Sequence, residues 1–320
     1  MNAPRPVVGQ LGRGPAAPHR VSWELTTDRE LSGAVFPSTA VRELSTAECL
    51  GLVEEFARMR VSHLDIAGGE PTARSDFWRI VEDACARRIG VGFRTDGRRL
   101  TPSAARLIAG NGYIDARVRL DGATEAANDA IGGVGSYRAA IRAMELLASS
   151  GVYDFAVDVV LTRHNVGQLD AMAAVADLFG ARLRPTRARP AGQGTRLWHE
   201  ARPNAGQERD VRRWMREHDD RLRGDDAESG IADSGDPRCG AGRVACLIDS
   251  IGDVYACPFA AHDALLAGNI RAAGGFGPVW RYAPLFERLR GADNDGPCVS
   301  CAATGHLGHE DLLASFGRSA

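Results

Sequence analysis

The sequence predicts an α/β fold: a partial (β/α)6 TIM-like barrel followed by a small, cysteine-bearing C-terminal module. Two observations predict the barrel. Short apolar runs alternate with amphipathic stretches as far as residue 187, a pattern that implies parallel strands with right-handed helical crossovers. The run His63-Leu64-Asp65-Ile66 leads into Gly68-Gly69-Glu70-Pro71, a turn of the kind found where a strand ends at a ligand. The module rests on a third: of seven cysteines, five lie between Cys239 and Cys301, where the chain becomes short-stranded and turn-rich.

Each element has its own signals. Residues 21–26 read as the first strand. Ser45-Thr46-Ala47-Glu48 has the form of a capping box and opens a helix to about residue 59. After the glycine turn, Ser75 is the expected cap of a helix ending near Gly90, and residues 91–95 are the third strand. Thr101-Pro102 starts a short helix, with proline at the first helical position. Residues 113–120 make the fourth strand, and Ile141, Met144 and Leu147 mark one face of a helix over 136–147. A fifth strand (155–161), a helix (166–179) and a sixth strand (181–187) complete the alternation. A helix over 207–218 precedes a polar stretch, and only brief strands such as 254–256 follow.

The division expected is a disordered lead of proline, glycine and arginine over residues 1–20, a barrel over 21–194, a helix and polar linker over 195–237, and a metal-binding module over 238–320. The net charge of −2 draws the molecule toward neither nucleic acid nor an anionic membrane, so neither is expected as a partner. All the positive charge is arginine, because the sequence has no lysine. No apolar run approaches the roughly 20 residues that span a bilayer, and the lead has no signal-peptide core. A cytoplasmic protein is expected, and clustered cysteines in that compartment point to metal sooner than to disulfides.

The glycine turn has two readings. Adjacent glycines allow positive φ and close approach of a ligand to the main chain, while proline fixes the exit. A plain strand-to-helix turn uses the same residues.

Several segments together carry a family resemblance: Trp23-Glu24-Leu25-Thr26, Gly68-Gly69-Glu70-Pro71-Thr72, Leu120-Asp121-Gly122-Ala123-Thr124, Asn128-Asp129-Ala130-Ile131, Arg189-Pro190-Ala191-Gly192-Gln193-Gly194, and the run from Cys239 to Asp263. On these the chain resembles radical S-adenosylmethionine (SAM) enzymes with a SPASM-type C-terminal extension, most of all the maturases of the mycofactocin precursor peptide. The resemblance implies a radical-SAM barrel, with the glycine turn receiving the amino group of SAM. It also implies a CxxxCxxC motif after the first strand, whose thiolates hold a [4Fe–4S] cluster. In register, those positions are Arg29, Gly33 and Phe36, none of which is a ligand for iron. Cys49 and Cys85 fall inside helices, as small buried hydrophobes.

The N-terminal cluster is therefore expected to be absent and SAM binding weakened. The principal expectation is a non-catalytic binding or accessory protein in peptide or natural-product maturation, serving a peptide substrate or an active radical SAM homologue. One alternative is a non-radical enzyme with an arginine-lined mouth for an anionic small molecule. Another is an active peptide-modifying radical SAM enzyme with atypical cluster ligation. The cofactor-binding residues expected are Gly68, Gly69, Glu70, Pro71, Arg94, Asp96, Arg119 and Asp121. Arg29, Arg94 and Arg119 either converge on an anion or pair with the neighbouring acids. The metal ligands expected are Cys239, Cys246, Cys257, Cys298 and Cys301, for zinc or one iron–sulfur cluster, with His306 or His309 completing a zinc site. The bland reading of those five cysteines is inherited remnants, since Leu307 and Asp311 stand where the family has further cysteines.

Overall fold

A computed structural model describes residues 16–28, 42–153, 155–187, 201–218, 222, 240–257, 261 and 263–291. Among the described residues nine strands form one sheet in the order β6-β5-β4-β3-β2-β1-β7-β8-β9. The first six are β1 (Arg20–Thr26), β2 (His63–Gly68), β3 (Gly90–Thr95), β4 (Ile114–Arg119), β5 (Ala156–Leu161) and β6 (Arg182–Arg187), all parallel. Between and after them run α1 (Thr46–Met59), α2 (Phe77–Ala86), α3 (Pro102–Ala109), α4 (Glu125–Gly132), α5 (Ser136–Ser149), α6 (Leu169–Asp177) and α7 (Ala205–Glu217). This is the α/β partial barrel that the alternation predicts.

Local chemistry sets the helix ends. The Ser45 side chain accepts from Glu48 N and the Glu48 side chain accepts from Ser45 N, closing the capping box of α1; such a cap contributes about 1 kcal/mol. Arg60, left-handed at φ 63°, ends that helix. The expected cap at Ser75 is corrected: a 3-10 turn, Pro71–Ala73, intervenes, and α2 starts one residue later, with Asp76 at its N-cap. Asp76 instead accepts from Arg74 Nε at 2.9 Å and from Thr46 Oγ1 at 2.7 Å, tying α2 to α1.

The strands present two chemically different faces. Val21, Trp23, Leu64, Ile66, Val91, Phe93, Val118, Val157 and Leu183 are buried in the hydrophobic core that the helices share. Alternate positions carry charge: Asp65, Arg117, Asp158 and Arg184. Arg184 Nη1 lies 3.2 Å and 3.4 Å from the two Asp158 oxygens, directly across the β5–β6 pairing. Arg117 on β4 reaches over Gly92 of β3 to pair with Asp65 on β2. A Cβ at Gly92 would stand 2.3 Å from Arg117 Nη2, so the missing side chain is what lets that pair form.

The described part of the C-terminal segment extends the same sheet. Its first strand, β7 (Ala245–Ile248), pairs parallel with β1, and β8 (Asp253–Tyr255) and β9 (Leu266–Asn269) add antiparallel. The sheet of the barrel thus continues into the extension. Helices α8 (Phe276–Tyr282) and α9 (Pro284–Gly291) follow. Phe56 of α1 packs edge-on between Trp23 (6.1 Å) and Phe276 (5.3 Å). Glu55 accepts from Phe276 N and Gly277 N, each at 2.8 Å, placing a carboxylate at the start of α8. Aromatic packing and a charged cap therefore hold the extension to the first βα unit. No helix among the described residues is long and apolar enough to cross a membrane.

Candidate cofactor site at the strand ends

The turn after β2 is built against the end of β1. Gly69 N donates to Thr26 O and Glu70 N to Asp28 O, both at 2.7 Å. Gly68 has φ 108°, and a Cβ at Gly69 would fall 1.8 Å from Asp28 O. Both glycines are thus required by the chain's own contact with β1, whatever ligand is present. In a trans peptide the carbonyl points opposite to the following N–H. With those two N–H groups directed at β1, the Gly68 and Gly69 carbonyls face away from it, a pair of acceptors that suits an ammonium group.

Glu70 is buried and already engaged. Its Oε1 accepts from Thr72 N (3.1 Å), Thr72 Oγ1 (2.5 Å) and Thr95 Oγ1 (2.8 Å), and its Oε2 accepts from Asp96 N (2.7 Å). Burial raises its pKa, as does the nearby Asp96 carboxylate, against the lowering effect of those donors. Glu70 therefore holds the turns after β2 and β3 together. Pro71, buried, starts the 3-10 turn behind it.

The charged residues expected at the mouth divide into local pairs. Asp96 Oδ1 accepts from Arg98 N at 2.9 Å, and its carboxylate lies 3.7 Å from Arg98 Nε. Arg119 Nε stands 2.7 Å from Asp121 Oδ2, close but not aligned for a hydrogen bond, so that contact is coulombic. Arg94 is half-buried on β3 and also engaged. Arg29 lies outside the described residues.

Other residues needed here escaped the sequence reading. Asn128 Oδ1 accepts from Asp121 N (2.7 Å) and Gly122 N (3.2 Å), and Asn165 Nδ2 donates to Asp121 O (3.1 Å), so two buried amides fix the end of β4. Asp129 accepts from Gly135 N, Ser136 Oγ and Tyr137 N, which lowers its pKa and sets the α4–α5 turn. The Asn128-Asp129 pair stood within a segment of the resemblance, but nothing local assigned it these partners. A cavity of about 350 Å³ between α6 and α7, lined by Asp170, Gln207, Asp210 and Trp214 among others, contains none of the expected site residues.

The metal-ligand expectation meets a described pair and an undescribed trio. Cys246 and Cys257 are fully buried, and burial pushes the Cys246 thiol far up. Cys239, Cys298, Cys301, His306 and His309 lie outside the described residues, as do Gly33 and Phe36. Cys49 and Cys85 are buried helix residues, with thiols pushed up by burial to about 12 and about 11. Among the described residues no group of three or more His, Cys, Asp or Glu is placed to hold a metal ion. Cluster iron needs thiolate sulfur. The described residues by themselves therefore do not fit a [4Fe–4S] cluster.

Comparison with known proteins places the chain. The radical SAM superfamily model matches residues 33–174. The chain is 44% identical to mycofactocin maturase MftC of Mycobacterium ulcerans over 306 residues, covering 92% of this chain and 83% of that protein. It is 45% identical to MftC of Mycolicibacterium smegmatis, covering 92% of this chain and 78% of that protein. In fold it is similar to Streptococcus suis SuiB bound to S-adenosylmethionine, with a TM-score of 0.68 at 15% identity over 86% of this chain and 68% of that one. The native anSMEcpe structure with bound AdoMet and the Cp18Cys peptide gives 0.63 at 14% identity, over 92% and 94%. These relatives correct the expectation of a non-catalytic protein: at this identity, over most of both chains, the proteins it matches are maturases. The chain belongs to the radical SAM superfamily, in the family of the mycofactocin maturases.

Proposed function

We propose that this protein is a peptide-modifying radical SAM enzyme with atypical cluster ligation, acting on a precursor peptide as its maturase relatives do. The observation that carries this reading is 43–45% identity spanning 78–83% of the length of proteins named mycofactocin maturase. SAM occupies the turn Gly68-Gly69-Glu70-Pro71, where main-chain carbonyls turned away from β1 accept from its ammonium and Glu70 keeps the turn in place. Arg94, Asp96, Arg119 and Asp121 border the same strand ends and orient the ligands there. SuiB, whose fold is similar, is known bound to SAM and, separately, to its precursor peptide SuiA, which is in keeping with this reading. Ligands for the SAM-cleaving cluster come from outside positions 29, 33 and 36. The C-terminal cysteines Cys239, Cys246, Cys257, Cys298 and Cys301 bind zinc or iron–sulfur, their thiols losing protons on binding.

The test is anaerobic purification of the full chain, iron–sulfide reconstitution, and incubation with SAM, a reductant and a mycofactocin-type precursor peptide. Formation of 5′-deoxyadenosine with a changed peptide mass is expected. An unchanged peptide and no 5′-deoxyadenosine, beside an MftC sample that turns over, overturns the reading. Metal content and the visible spectrum of the same sample identify the C-terminal metal.

A further inference from the structure

Arg271, in the turn after β9, uses all five of its N–H donors. Nε donates to Glu48 Oε1 (2.6 Å). Nη1 donates to Arg42 O (3.0 Å) and Ile251 O (3.2 Å), and Nη2 to Glu43 O (3.1 Å) and Glu48 Oε2 (3.2 Å). A guanidinium has five such donors in a fixed plane, which an ammonium cannot reproduce. The acceptors lie on two parts of the fold: Ile251 precedes β8 in the extension, whereas Arg42 and Glu43 lead into α1 and Glu48 lies in its first turn. Arg271 is half-exposed, so its ion pair with Glu48 alone contributes little. What distinguishes it is the grip on the main chain of residues 42 and 43.

That grip leads to the ligand turn. Glu43 Oε1 accepts from Thr26 Oγ1 (3.1 Å), Thr27 N (2.8 Å) and Thr27 Oγ1 (3.1 Å), and Arg74 Nη1 lies 3.6 Å from its other oxygen. Asp28 N donates to Thr26 Oγ1 (3.1 Å). Thr26 O and Asp28 O are the acceptors on which Gly69 N and Glu70 N rest. A continuous set of bonds thus runs from the extension through Glu43 and the end of β1 to the SAM turn.

We infer that Arg271 is a positioning residue for SAM binding: it seats Glu43 against Thr26 and Thr27, and so makes the set of the Gly68-Gly69 turn depend on the docked C-terminal extension. The inference rests on the reading of that turn as the SAM site. A lysine keeps the charge beside Glu48 but loses the main-chain grip, so Arg271→Lys and Arg271→Ala behave alike. Glu55→Gln serves as a control for simple loosening of the extension, because Glu55 anchors α8 elsewhere and touches neither Glu43 nor β1.

The experiment uses the full chain, SAM equilibrium dialysis, and amide hydrogen exchange without ligand. Parent protein binds SAM; Arg271→Ala and Arg271→Lys bind it at least tenfold more weakly, and the Gly69 and Glu70 amides exchange faster. Glu55→Gln keeps parental SAM affinity and parental exchange at those two amides. Parental SAM affinity or parental exchange in Arg271→Ala overturns the inference, as does equal weakening in Glu55→Gln. A parent that binds no SAM overturns the site reading, and this inference with it. Should Arg271→Ala fail to fold, Arg271→Lys carries the same expected outcomes, and Glu43→Ala, which removes the acceptor of Thr26 Oγ1 and Thr27 N, should also weaken SAM binding and speed exchange at the Gly69 and Glu70 amides.

Discussion

Thr95 Oγ1 donates to Glu70 Oε1 at 2.8 Å and accepts from Gly97 N at 3.0 Å, so a single hydroxyl joins the ends of β2 and β3. Thr95→Val keeps the shape and removes both bonds. We expect a stability loss of about 1–3 kcal/mol, the usual cost of leaving buried polar groups unpaired, read as a lower urea midpoint. A midpoint equal to the parent's would show that Glu70 has other means of satisfaction.

Gly69 meets Asp28 main chain, which has no flexible end to move aside. Gly69→Ala therefore displaces the turn from β1. We expect SAM affinity to fall at least tenfold by equilibrium dialysis. Undiminished binding would remove the turn from the site.

Asp158 and Arg184 form a buried pair, with side chains 4% and 6% exposed. Arg184→Met strands the carboxylate and should cost about 3–5 kcal/mol, whereas Asp158→Leu combined with Arg184→Met should recover most of that loss. Denaturant titration of parent, single and double variants decides the matter. A double variant as unstable as the single one refutes the pairing argument.

Burial pushes the Asp249 carboxyl up from 3.8 to about 6. With the folded pKa above the unfolded one, the folded state holds more protons through that window. Its contribution to stability is complete below about 3.8 and is lost as pH rises through about 6. Asp249→Asn retains an acceptor for Ile251 N and Asp253 N but has no proton to lose. The stability of the parent relative to this variant should therefore fall between pH 4 and pH 7, measured by urea titration at each. A pH-independent difference would place the titration elsewhere.

How far the sequence could be read depended on whether a signal was local. The capping box at Ser45 and Glu48, the proline start of α3 under Thr101, and the six barrel strands were legible because each rests on neighbours a few residues apart. The glycine turn was legible as a turn at a strand end, but not the contact that requires its glycines. Its glycines yield to Asp28 and Thr26, which are some forty residues away in the chain. The functional expectation drawn from Arg29, Gly33 and Phe36 gave way to the maturase relatives, because a missing local motif is silent about ligands brought from elsewhere.

By itself the sequence determined the alternation of strand and helix, the turn after β2 and the cysteine-bearing end, since periodicity, caps and composition act over short range. Only the tertiary structure decided that β7 joins β1, that Glu70 is spent on Thr72, Thr95 and Asp96, and that Arg271 reaches Glu43 from the far end of the described chain. Those are pairings between distant segments. Several acceptors offer themselves to each donor in the sequence, and folding selects among them by which groups can be buried together with their partners.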